Sequence, residues 1–205
     1  MWAAAIFGLI GVVVGVGVTG AIDLFMERRR ESRALADETR RRYRESVVTC
    51  RLIANEIDTI GENFRLLAGL KRTLTRPIHE APGYLPSVEW TQRGSQLAGI
   101  VTDFDTWSII TSIYHNAGGL RSRMLIDEPG VEIPSERIPT LTRDADAAAQ
   151  IAVVLNAYAQ EHVDALEATD GMPTSITPIA ELARQAATEV AQAGSVEAAK
   201  RGEQG

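Results

Sequence analysis

The stretch that decides the fold is YRESVVTCRLIANEIDTIGENFRLLAGL, residues 43–70. Its apolar residues Tyr43, Val47, Cys50, Ile53, Ile57, Ile60, Phe64, Leu67 and Leu70, continued by Leu74, recur in steps of three and four. That spacing marks one face of a helix and is close to a heptad. A helix with such a face needs other helices to cover it. No alternating apolar–polar run is long enough to argue for a sheet. The expected class is therefore all-α, with residues 43–169 forming an antiparallel helical bundle.

Upstream, neither Gly nor Pro occurs between Ala21 and Ile60, so the helix is expected to extend backwards. Trp2 to Ile22 carries no charge. Roughly twenty such residues suffice to cross a hydrocarbon core of ~30 Å at ~1.5 Å per residue. Residues 2–26 are read as a transmembrane helix, with Trp2 as an interfacial anchor. A cleaved signal peptide is the rival, because Thr19 and Ala21 give a small-x-small pattern, but no positive segment precedes the apolar run. Arg28, Arg29, Arg30 and Arg33 follow directly, then Arg40, Arg41, Arg42 and Arg44. Basic residues stay on the cytoplasmic side, so everything after the span is expected there.

Gly8, Gly11 and Gly15 share one side of the apolar helix, and Gly11 to Gly15 is a GxxxG. Small residues let two membrane helices approach closely, so a homodimer through this stripe is an expected mode of association. Residues 27–42 are read as a basic helical stalk. Asp37 with Arg41 and Glu38 with Arg42 are i,i+4 pairs in the favourable order.

Downstream, Pro77, Pro82, Gly83 and Pro86 mark a loop over 75–86. Ser87 reads as the N-cap of a short helix with Trp90, Leu97 and Ile100. Asp103 reads as the N-cap of another, with Phe104, Trp107, Ile110, Ile113, Tyr114, Ala117, Leu120 and Met124 on one face. Phe104 and Trp107 are expected to pack against the Cys50–Leu67 stripe, and Gly118–Gly119 to weaken or kink the helix. A second loop is expected from Asp127 to Pro139. A helix follows from about Thr142 to Ala168, with Ala148, Ile151, Leu155, Tyr158, His162 and Leu166 on its face. Gly171 and Pro173 stop it. Thr177 and Pro178 then open an Ala-rich helix within 170–193, and residues 194–205 read as a disordered tail.

Composition narrows the functional classes. The net charge is −6 and the acidic excess lies in the second half, which argues against nucleic acid as a partner. Cys50 is the one cysteine, so no intrachain disulfide can form. His79, His115 and His162 lie in different elements without HxxxH or HExxH spacing, so no metal site is expected. His162 reads as a core or boundary histidine and Cys50 as a small hydrophobe. Asp103 and Asp105 are explained by the positive end of a helix. No catalytic or cofactor-binding residue is assigned.

The order of features resembles a loose group of uncharacterised single-span proteins from actinobacteria and their phages. Those chains have a Gly-rich span, an Arg-rich stalk, a long amphipathic helix and a Pro-containing loop. Two helices then carry a Trp, a second Trp and a Tyr, matched here by Trp90, Trp107 and Tyr114 within Leu85–Tyr114. The resemblance covers roughly residues 1–125 and implies architecture only.

The expected role is a membrane-anchored helical interaction or scaffold protein, with the lipid bilayer and an unknown protein as partners. An accessory subunit of a transport or envelope complex is one alternative. A membrane-tethered enzyme, its site assembled in space, is the other.

Overall fold

The computed structural model describes residues 2–70, 85–124, 135–167 and 177–188; the side chains of 2–22, 70, 123 and 124 lie outside that description. Every described element is a helix. In chain order they are α1 (Trp2–Leu70), α2 (Val88–Ile100), α3 (Phe104–Met124), a 3-10 turn (Ser135–Arg137), α4 (Ile138–Glu167) and α5 over 179–188. The chain divides into two compact units, Met1–Arg42 and Tyr43–Gly205.

The first unit is helical from Trp2. Between Asp23 and Arg42 every residue is exposed except the half-buried Thr39. A helix bare on all sides must be held by local bonds. Ser32 and Thr39 donate their hydroxyls to the carbonyls of Arg28 and Leu35, and Arg42 Nε reaches Glu38 Oε1 at 3.0 Å. Among the residues whose side chains are described, no helix is long and apolar enough to cross a membrane. The uncharged run over 2–22, with Gly8, Gly11 and Gly15, lies outside them.

The second unit is a helical bundle around the stripe quoted above. Cys50, Ile53, Ile57, Ile60, Phe64 and Leu67 are all buried. Leu97 of α2 joins them, as do Ile110, Ile113 and Ala117 of α3, and Ala145, Ala148, Ile151 and Leu155 of α4. Ile179, Leu182 and Ala186 of α5 close one side. The pairings fix the directions. Thr49 meets Gln96 and Glu56 meets Trp90, so α2 runs back along α1. Tyr43 meets His162, Arg51 meets Gln160 and Arg65 meets Asp146, so α4 also runs against α1.

α1 and α4 approach closely at Gly61. A Cβ there would lie 2.9 Å from Ala148 Cβ and 3.2 Å from the Ala145 carbonyl oxygen. Only a residue with no side chain lets the two backbones approach to this degree, and the facing alanines complete the fit.

The structure departs from the expected core placement of Phe104 and Trp107 and from the expected start of α4. Phe104 is 79% exposed and Trp107 is only half-buried, so neither sits in the core. The cause is helix phase. Counting ~100° per residue, six places back from Ile110 carries Phe104 well off the buried side, and Thr106 takes the inward position at 3% exposure. α4 begins at Ile138, before the proline expected to close the loop. Pro139 falls in the first turn, where its missing N–H costs no helical bond. α3 continues unbroken past Gly118 and Gly119.

Nothing lies within 4 Å of a Cβ built at either of those glycines. Gly118→Ala and Gly119→Ala should therefore each stabilise the protein by about 0.5–1 kcal/mol, by removing unfolded-chain entropy without a clash. Thermal unfolding checks this; a lower Tm in either variant would show that a neighbour does need the space.

Candidate functional site

α1 carries a second line beside its apolar one. Thr49 and Glu56 are seven residues apart and both buried, at 1% and 5% exposure. Asn63, half-buried, continues the spacing. Thr49 donates its hydroxyl to Gln96 Oε1 at 3.0 Å. Glu56 Oε2 accepts two bonds, from the backbone N–H of Trp90 at 2.8 Å and from the Tyr114 hydroxyl at 3.1 Å. Glu56 Oε1 is buried and, among the described residues, has no hydrogen-bond partner.

The Trp90 N–H belongs to the first turn of α2, where helical N–H groups have no partner within the helix. Ser87 precedes this turn but makes no side-chain capping bond, contrary to expectation. Its hydroxyl instead accepts from Arg121 Nη1 at 2.8 Å, and the Leu85 carbonyl accepts from Arg121 Nη2. Glu56 thus caps α2 from another helix, and its charge sits at the positive end of the α2 dipole. The Trp90 ring stacks on Tyr114 with centroids 4.5 Å apart, and Trp107 lies 5.4 Å from Trp90 on its other contact. Burial, then the Glu56 charge, push the Tyr114 hydroxyl upward, so it stays a donor.

Similar bonds recur elsewhere. Glu161 Oε2 accepts from the Thr177 N–H at 2.8 Å, just before α5. Asp144, buried on α4, accepts from Asn116 Nδ2 of α3 at 2.6 Å. Asp103 caps α3 as its sequence suggests, accepting from both the N–H and hydroxyl of Thr106. Those bonds, the backbone one foremost, hold the Asp103 carboxyl below the usual range.

A third cluster lies between the start of the second unit and the end of α4. His162 is 3% exposed and contacts the rings of Tyr43 and Tyr158, at 4.8 and 4.3 Å. Its Nδ1 is 2.9 Å from the Tyr158 carbonyl, which assigns the proton to that nitrogen. Cys50 is fully buried, and burial pushes its thiol up to about 12, far from the thiolate that reacts.

Burial also pulls the His162 imidazole below its ordinary value of about 6.5. The unfolded chain then binds this proton more readily than the folded one. Stability is present above the ordinary histidine range and lost as pH falls through it towards the lowered folded value. Urea midpoints should therefore fall between about pH 7.5 and about pH 5.5. His162→Gln should flatten that dependence; an unchanged slope in the variant would assign it to another group.

Arg28, Arg29, Arg30 and Arg33 are exposed on the first unit. His115 is exposed on α3, and His79 lies outside the described residues. Among the described residues no three His, Cys, Asp or Glu side chains converge to hold a metal ion. A shallow groove along the start of α4, lined by Ile138, Thr142, Arg143, Asp146 and Gln150, brings only one acid and one base together. No family model, curated protein or solved structure matches this chain.

Proposed function

We propose that this chain is a single-pass, membrane-anchored scaffold whose helical bundle faces the cytoplasm and presents a surface to a protein partner. One observation carries the anchor: the uncharged run from Trp2 to Ile22 belongs to a helix that continues without a break to Leu70. The arginines that follow supply the orientation. The scaffold role draws on where the buried polar groups go. Glu56, Asp144 and Glu161 each bond a neighbouring helix or the segment entering one, so their chemistry serves to position helices. Within the bilayer, Gly8, Gly11 and Gly15 form the contact of a homodimer in this reading.

The test is topology in intact cells. A cysteine placed near the C-terminus should resist an impermeant thiol reagent until the membrane is opened. Cys50 contributes little background, being fully buried. Labelling without lysis overturns the orientation. A mature chain starting near Ile22 would make the segment a signal peptide and remove the anchor.

A further inference from the structure

The helix just after the apolar run has a ring of chemistry rather than a stripe. Leu24, Phe25 and Met26 are exposed at 63%, 64% and 45%. Three successive residues on a helix point in three directions, ~100° apart. A protein neighbour covers one face, whereas lipid covers a helix all round. The next positions repeat this geometry with charge. Arg28, Arg29 and Arg30 are successive and exposed, and Arg33 follows one turn on. Asp23, Glu27 and Glu31 recur every four residues along one side; Arg30 shares that side, three residues after Glu27, while Arg28, Arg29 and Arg33 spread over the rest of the circumference. Among the described residues none of the four makes an ion pair, whereas Arg42, farther along, is paired with Glu38.

We infer that Arg28, Arg29, Arg30 and Arg33 form a collar that binds the phosphates of acidic phospholipid headgroups, with Leu24, Phe25 and Met26 seated in the layer beneath. Guanidinium groups suit this ligand because their planar fork bonds two phosphate oxygens at once. Basic side chains close to an anionic surface each gain about fivefold in binding, the equivalent of ~1 kcal/mol. The inference rests on the membrane reading above and adds the headgroup class.

The full chain in mixed micelles carrying equal phosphatidylcholine and phosphatidylglycerol is examined by native mass spectrometry. In parallel it is reconstituted with phosphatidylcholine vesicles and floated. The parent should float and should retain phosphatidylglycerol about fivefold over phosphatidylcholine. Arg28→Gln, Arg29→Gln, Arg30→Gln and Arg33→Gln together should still float and bring the ratio to about one. The four corresponding changes to Lys should keep most of the preference, which separates charge from any loss of structure. A parent that floats without preferring phosphatidylglycerol, or a Gln variant that keeps the preference, overturns the collar and leaves the anchor standing. A parent that does not float overturns the anchor and the collar with it.

Discussion

Glu56→Ala should lower the unfolding free energy by roughly 2–5 kcal/mol. Two donors, the Trp90 N–H and the Tyr114 hydroxyl, lose their acceptor inside the bundle, and each buried orphan costs about 1–3 kcal/mol. Domains of this kind have only about 5–15 kcal/mol in total. Glu56→Gln keeps an acceptor oxygen and should lose less. Tyr114→Phe removes one orphan, so the double variant with Glu56→Ala should fall short of the sum of the singles. Urea unfolding of the parent and the four variants reads all of this. A Glu56→Ala midpoint equal to the parent's would mean that water satisfies both donors and the carboxylate is dispensable.

Gly61→Leu should be comparably damaging for the opposite reason. Even the first carbon of a side chain would press on Ala148 Cβ at 2.9 Å and on the Ala145 carbonyl at 3.2 Å, and neither can swing aside without moving α4. Overpacking of this kind costs about 1–3 kcal/mol, and Leu belongs at the upper end. Gly61→Ala should lose less, because alanine favours the helix by ~1 kcal/mol. Adding Ala148→Gly to Gly61→Ala should recover part of the loss by reopening the space. Failure to recover would place the strain on the Ala145 carbonyl instead. Thermal and urea unfolding separate these outcomes.

Much of the bundle was legible because its signal is periodic. The Cys50–Leu67 line repeats every three to four residues, and each of its members quoted above is buried. The faces of α3 from Ile110 to Leu120 and of α4 around Ile151 follow the same rule. Phase was lost where an element begins. Phe104 looks like a core residue by type, but the cap at Asp103 starts the helix with that position turned outward. The polar line was visible in principle. Thr49, Glu56 and Asn63 repeat every seven residues beside the apolar face. The partners of Thr49 and Glu56, which are Gln96, Trp90 and Tyr114, lie tens of residues away, and no local pattern links a carboxylate to a helix start on another segment. Arg121 is hidden for the same reason, since its acceptors Leu85 and Ser87 precede a different helix.

The Thr49–Glu56 line also bears on uniqueness. Aromatic residues make up only 5% of the chain, and much of the α4 face is alanine. Small, similar side chains fill a core adequately in more than one alignment, so apolar packing alone penalises a one-turn slide of α2 along α1 only weakly. The polar line penalises it heavily. After a slide that brings the next turn of α2 to Glu56, the carboxylate would confront N–H groups already bonded within the helix, and a buried charge without donors is among the costliest errors a fold can contain. An apolar replacement of the whole network could match its stability and still forfeit this discrimination. In that sense Glu56 acts as a key cut for one register of α2, rejecting neighbouring alignments more than it strengthens the correct one.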